Sequence, residues 1–336
     1  MGRYVIRRLL QFIPTVLGTM FLLHYLTSVA MQFGGNPVRS LFGDRTPSPA
    51  LIAAISEKLG LSDPCLTQKF NPCGGLFLDR LQNIFFHFDF GVNLHERPVT
   101  DIVADAAPFT IKIALIALVF EAVVGISIGI WAGLRGGSFQ DLLVKVSTVF
   151  VISVPIFVLG VLVREFVAVK FGNYLSTFDW VPEVISKGVL SPVYKPEYPF
   201  ASLILPGLVL GAISLATTAR LTRTSIMENI RGDYVRTARA KGLTRKRVIG
   251  VHTLRNSLIP VITFLGVDVG ALLGGAVVTE RIFNVPGIGS QVARAAVNGE
   301  ASVAVGIVTM LALVFLIANL LVDLLYAVLD PRIRYE

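Results

Sequence analysis

Charge is scarce in this chain. Asp, Glu, Lys and Arg make up 15% of its 336 residues against 54% hydrophobic, and the mean hydropathy is +0.71. Soluble domains carry about 25% charged residues, so an ordinary water-soluble globular protein is excluded. Cysteine is nearly missing: Cys65 and Cys73 are too few for a metal cluster or a disulfide-built scaffold. The histidines His24, His87, His95 and His252 are scattered, with no ligand spacing. No Gly-x-x-x-x-Gly-Lys-Ser/Thr loop, His-Glu-x-x-His or Cys-x-x-Cys occurs. The chain itself is therefore not expected to hydrolyse ATP, to hold a metal or other cofactor, or to act as an intramembrane hydrolase. Internal repeats and low-complexity segments are also lacking.

Long apolar runs are what it has. About 20 apolar residues cross the hydrocarbon of a bilayer, and six stretches qualify: Leu9–Met31, Phe109–Leu134, Leu142–Val169, Phe200–Ala219, Ile259–Ile282 and Ser302–Leu329. The first is about twice the length of a 7–15-residue signal core, so an uncleaved span is expected despite the small residues Ser28-Val29-Ala30. The net charge of +8 is concentrated beside the spans, which reads as membrane orientation rather than nucleic-acid binding. The positive-inside rule puts Arg3, Arg7, Arg8, Arg135, the dense set from Arg220 to Arg255, and Arg332 and Arg334 in the cytoplasm. Both termini are then cytoplasmic.

Three regions follow: 1–31, the N-terminus and first span; 32–108, an external segment; and 109–336, a core of five spans with a cytoplasmic loop at 220–258. Pro47, Pro49, Pro64, Pro72 and Gly74-Gly75 punctuate the external segment into turns. A short helix is expected over Leu51–Leu59. Val99, Ile102, Val103 and Ala106 suggest another lying along the interface before Pro108 opens the second span. Cys65 and Cys73 fall in this oxidising location, where their spacing permits one small disulfide loop, the alternative being two free thiols.

The loop from Asp233 to Pro260 stands out because it is both charged and ordered. Asp233 is a good N-cap for a helix over Tyr234–Lys241, and Gly242 suits a left-handed stop. Thr244 can cap a second helix through Val248, Val251 and His252. Tyr234, Ala238 and Gly242 lie four apart, a narrow face for close approach by another surface, with Arg236, Arg239, Lys241, Arg245, Lys246 and Arg247 around it. Topology alone accounts for the arginines, but not for a capped helix, a small-residue face and a timed glycine together. Docking is the better reading.

The stretches Thr237-Ala238-Arg239-Ala240-Lys241-Gly242-Leu243 and His252-Thr253-Leu254-Arg255-Asn256-Ser257-Leu258-Ile259-Pro260 resemble the docking loop of the dipeptide/oligopeptide/nickel branch of binding-protein-dependent permeases. Tyr4–Leu17, Asn36-Pro37-Val38-Arg39, Leu59-Gly60-Leu61, Glu280-Arg281-Ile282-Phe283, Pro286-Gly287-Ile288-Gly289 and Leu329-Asp330-Pro331-Arg332 extend the likeness to that branch's first-type subunit over nearly the whole chain. Where the general motif opens Glu-Ala-Ala, this chain has Arg236-Thr237-Ala238, which bears on a specific salt bridge there rather than on docking. The resemblance implies an all-α, six-span subunit of a type I ATP-binding-cassette importer in the bacterial inner membrane. It implies as partners a second homologous permease, two cytoplasmic ATPase chains that hold the ATP and Mg, an extracytoplasmic substrate-binding protein and membrane lipid. Tyr234, Arg236, Ala238, Arg239, Gly242 and Leu243 would couple to an ATPase. Cargo would be a di- or oligopeptide, with nickel, glutathione and haem as alternatives inside the branch.

Two glycine ladders need an account. Gly125, Gly129 and Gly133 suggest close helix packing, since small residues let backbones approach where lipid gives no hydrophobic drive. Gly266, Gly270 and Gly274 could also line a pathway. Ionisable groups inside spans are functional candidates; Glu121, Asp268 and Asp323 lie deepest, and Asp268 is the preferred pathway residue because it shares a helix with the second ladder. The competing class is an ion-coupled secondary transporter using those three carboxyls.

Overall fold

In lipid, backbone polar groups must be satisfied within the protein, and helices do so segment by segment. The computed structural model of the chain describes residues 2–34, 38, 47–58, 62–93, 95–298 and 300–329. Among them the regular structure is helical, apart from one isolated antiparallel bridge between Val92 and Pro98. Four helices are long and apolar enough to cross a membrane: Leu9–Phe33, Val99–Gly133, Ala201–Asn229 and Val303–Leu321. Two bent pairs, Phe139–Ser153 with Ile156–Leu175 and Arg245–Ser257 with Ile259–Gly274, bring the number to six if each is one span. Residues 36–37, 39, 59–61 and 330–332 of the family-like stretches lie outside the described residues.

One compact unit is Met1–Pro108 with Pro286–Glu336. It contains α1 (Gly2–Gly34), α2 (Pro49–Lys58), α3 (Gly74–His87), the first turns of α4 (Val99–Gly133), and, from its second segment, α11 (Ile288–Val297) and α12 (Ala301–Leu329). Val16 and Met20 of α1 meet Ile84 of α3, with Leu313 and Leu316 of α12 packed alongside. The expected interfacial helix takes a different role. Val99, Ile102, Val103 and Ala106 are buried against Ile288, Ala295, Val303 and Ile307, so their apolar face is covered by protein. Nor does Pro108 open a span, because α4 runs through it unbroken. A proline inside a helix gives up one backbone bond, which membrane helices tolerate where neighbouring groups re-satisfy the freed carbonyl. Cys65 and Cys73 are joined as a disulfide.

The other unit is Phe109–Val285. It holds the rest of α4, then α5 (Phe139–Ser153), α6 (Ile156–Leu175), α7 (Ile204–Asn229), α8 (Asp233–Ala240), α9 (Arg245–Ser257) and α10 (Ile259–Ile282). The expected third span, Leu142–Val169, is covered by two helices, and α5 and α6 meet at 101°. Pro155 forces the preceding residue out of helical geometry, and Val154 is extended at φ −88°, ψ 121°. The fourth span was expected to stop at Ala219, but α7 continues to Asn229 and carries Arg220 and Arg223 as helix rather than loop.

α7 is the hub of this unit, and it packs on α4 along a seam of glycines. A Cβ on Gly129 would lie 2.5 Å from Cβ of Thr222, and one on Gly133 would lie 3.0 Å from the Arg223 carbonyl oxygen. From the other side, a Cβ on Gly211 would meet the Ala117 carbonyl oxygen at 2.8 Å, and one on Gly207 the Ile116 side chain at 2.5 Å. Gly125, Gly129 and Gly133 are thus one half of a two-sided seam that lets two backbones touch.

Candidate functional site: a coupling helix and two interior carboxyls

α8 is a two-turn helix with one apolar face. Val235 and Ala238 are buried against Val248 of α9, with Leu243 packed on the same cluster. Fully burying a valine side chain stabilises by about 1.5–3 kcal/mol, so this small cluster is what holds the charged segment in place. The N-cap is Gly232, with Asp233 as the first helical residue, which corrects the expected Asp233 cap. A Cβ on Gly232 would lie 2.7 Å from the Tyr234 ring, whose hydroxyl donates to Oδ1 of Asn229 at the end of α7.

The far end closes as expected. Gly242 has φ +76°, and its N–H donates to the Arg239 carbonyl at 2.9 Å while the Leu243 N–H donates to the Ala238 carbonyl at 3.3 Å. These are the paired bonds of a glycine-terminated helix, with the hydrophobic residue after the glycine folding back onto the helix. Thr244 occupies the N-cap of α9 in extended geometry without a side-chain bond.

The trio Tyr234, Ala238 and Gly242 does not form one open face. Ala238 is 4% exposed and turned toward Val248, whereas Tyr234 is 40% exposed. The outward face of α8 is made by Asp233, Arg236, Thr237, Arg239 and Ala240, and Lys241, Arg245, Lys246 and Arg247 are exposed beyond it. Arg236 pairs with Asp233, at 3.3 Å on the surface. Most of this cationic surface is without an acidic partner among the described residues.

α9 carries the segment to the membrane. One turn, Val248–Thr253, is wound more widely than an α-helix, a local irregularity frequent at functional positions. The buried Ser257 hydroxyl donates toward the Thr253 carbonyl at 2.9 Å and the Ser225 carbonyl of α7 at 3.3 Å. After Leu258 the axis bends by 43° into α10.

α10 bears the proposed pathway residues. Gly270 is buried, and a Cβ on Gly274 would meet nothing within 4 Å, so the second ladder is not a continuous packing seam like the first. Asp268 adjoins Glu121 of α4. Glu121 is wholly buried at the start of a wide turn, Glu121–Gly125; its Oε1 accepts from the Thr218 hydroxyl at 2.6 Å. Oε2 of Glu121 and Oδ2 of Asp268 are buried with no donor from any other group among the described residues, so the two carboxyls have each other as polar neighbours. The structure therefore brings together two of the three interior carboxyls. Asp323 lies on α12, in the other unit, and its side chain is not among those described.

Sequence reasoning missed three features. Arg223 pairs with Asp141 across 82 residues, and the Thr110 hydroxyl donates to Oε1 of Glu280 at 2.6 Å across 170; separations of that size carry no local signal. Gly207 and Gly211, by contrast, show the same four-residue spacing as the first ladder.

Residues 125–335 match the family described as binding-protein-dependent transport system inner membrane component. The chain is similar to the dipeptide transport system permease protein DppB of Escherichia coli K12, 34% identical with the whole of both chains covered. It is also similar to the di/tripeptide transport system permease protein DppB of Pseudomonas aeruginosa UCBPP-PA14, 34% identical over 99% of each chain. A dipeptide permease protein DppB of Alkalihalophilus pseudofirmus is 33% identical, again over 99% of each. With its run of membrane-spanning helices, this chain belongs to the binding-protein-dependent transport system inner-membrane components.

Proposed function

We propose that this chain is one of two permease subunits of an ATP-driven importer of short peptides, with cargo handed to it by an extracytoplasmic binding protein. One observation carries the coupling role. A helix held by a single apolar face, with its cations outward, connects through α9 to α10, which holds Asp268. The relatives' names, dipeptide and di/tripeptide permease, support peptide cargo.

The working assembly is this chain, a second homologous permease, two ATPase chains, the binding protein and surrounding lipid, with no nucleic acid. Nucleotide and Mg reside in the ATPase chains and supply the closing force. Both termini lie in the cytoplasm, on the same side as α8, in keeping with the basic residues flanking the spans. α8 rides in a groove on an ATPase, with Tyr234, Arg236, Arg239 and Lys241 toward the partner and Ala238, Gly242 and Leu243 fixing its shape. When the ATPases close, the cluster of Val235, Ala238 and Val248 passes the displacement to α9. The bend at Leu258 lets α10 tilt without unwinding. Asp268 and the backbone at Gly266, Gly270 and Gly274 then change exposure as the pathway alternates. Differential contacts of α8 with open and closed ATPases are what bias the two states.

The test is the assembled complex in liposomes, with ATP hydrolysis and dialanine uptake measured for Arg236→Glu combined with Arg239→Glu. Both side chains are exposed, so thermal stability of the isolated chain should be unchanged while ATPase chains dissociate and uptake is lost. Wild-type uptake by the double variant, or ATP hydrolysis by the isolated chain, would overturn the reading.

A further inference from the structure

Within the unit of Met1–Pro108 and Pro286–Glu336 there is a cavity of about 350 Å³, walled by the C-terminal half of α1, by α3, by the loop after it and by α12. Small-molecule sites commonly occupy about 300–1,000 Å³. Nothing in the coupling role uses it.

The wall is chemically specific. His24 is 3% exposed, and its Nε2 lies 3.2 Å from the Cys73 carbonyl oxygen. A carbonyl only accepts, so Nε2 carries the proton and Nδ1 is left as an acceptor. That Nδ1 is buried with no hydrogen-bond partner among the described residues. Arg80, also in the wall, is half-buried and forms neither an ion pair nor a hydrogen bond among them. Asp79 and Asp89 supply the opposite charge. Asp89 is oriented by accepting the Gly91 N–H at 2.8 Å.

The loop wall is fixed as well. A Cβ on Gly306 of α12 would lie 2.3 Å from the Phe90 carbonyl oxygen, so this loop sits directly on the α12 backbone. The disulfide between Cys65 and Cys73 holds the residue whose carbonyl orients His24. A cavity with an unpaired cation, two carboxylates and an orphaned acceptor on rigid supports is built for a ligand that has a negative group and N–H donors.

We propose that this cavity binds a small zwitterion of amino-acid to dipeptide size. Its carboxylate lies on Arg80, its ammonium faces Asp79 and Asp89, and an N–H is donated to Nδ1 of His24. The inference stands on the chemistry of the cavity and does not depend on α8 coupling to an ATPase.

The probe is radiolabelled dialanine, titrated onto the permease–ATPase complex in phosphatidylglycerol nanodiscs without binding protein or ATP. Saturable binding, one per copy of this chain, is expected. Arg80→Gln should weaken it ten-fold or more, the scale of losing a charge-assisted bond to a carboxylate, with Arg80→Lys in between. Because Arg80 has no partner to orphan among the described residues, the melting temperature of Arg80→Gln should match wild type. Unlabelled dialanine should compete, and N-acetyl-dialanine amide, which lacks both charges, should not. Absence of saturable binding, equal affinity in Arg80→Gln, or competition by phosphoethanolamine at least as strong as by unlabelled dialanine (a lipid-headgroup site) would each overturn the proposal. Uptake by the full transporter is a separate readout, so a failed cavity and a failed transport role can be told apart.

Discussion

Arg223 of α7 grips both carboxylate oxygens of Asp141 on α5: its Nη2 lies 2.9 Å from Oδ2, and its Nε donates to Oδ1. The Asp141 side chain is 1% exposed and that of Arg223 13%. The Gly137 N–H at 2.9 Å and the Lys145 ammonium at 3.1 Å complete the carboxylate's shell. The first turn of α5 is thereby fastened to the long extension of α7, in a bidentate geometry that adds direction as well as strength.

Removing one side of this clamp should cost more than removing both. Asp141→Ala leaves the guanidinium enclosed without its counter-charge, for a loss of about 3–5 kcal/mol. Asp141→Leu combined with Arg223→Met should be markedly milder. Thermal melts of the three proteins in one detergent check this; equal losses would show that the pair is not coupled.

The glycine seam and the second ladder should respond oppositely to the same change. Gly129→Ala places a methyl 2.5 Å from the Thr222 side chain, and overpacking of that kind costs about 1–3 kcal/mol. Gly274→Ala meets nothing within 4 Å and should leave the melting temperature unaltered. If Gly274→Ala nevertheless slows dialanine uptake, the effect belongs to the pathway and not to packing.

At Gly242 the constraint is the backbone, because φ is +76° and the space around a Cβ is open. Gly242→Ala should cost about 1 kcal/mol, and Gly242→Asn less, since Asn tolerates the left-handed region. Uptake and ATP hydrolysis by the assembled complex should fall in the same order. An Ala variant as active as the Asn variant would show that the helix stop is not needed for coupling.

Glu121 offers a test of the interior pair. Glu121→Gln keeps an oxygen for the Thr218 hydroxyl and adds N–H donors beside the neighbouring Asp268 carboxyl. The melting temperature should hold or rise. Glu121→Ala removes the Thr218 bond and opens a cavity at a wholly buried position, so a loss of about 2–5 kcal/mol is expected.

Much of this was legible from residues alone. Gly242 could be read because a left-handed stop almost demands glycine, and the first ladder because a repeat of four on a helix marks one face. The spans were legible as composition, but their shapes were not. Pro108 and Pro155 look alike in sequence, yet α4 passes through one and the chain turns 101° at the other. What decides between a tolerated proline and a break is the packing of the flanking turns, which no local pattern encodes. Ala238 misled for a related reason. A small residue marks close approach, but the partner is Val248 of the same chain. Asp268 could be picked out as an acid inside an apolar span, whereas its neighbour Glu121 is 147 positions away and became its companion only through the fold.

Backbones that touch along a line of glycines cannot slide without collision, since the turns of one helix interlock with those of the other. The part of α4 from Phe109 onward and α7, joined by this seam, should consequently move together as one rigid beam. The elbows at Val154-Pro155 and at Leu258 lie outside this seam, and stiffening either should slow uptake while the beam stays whole.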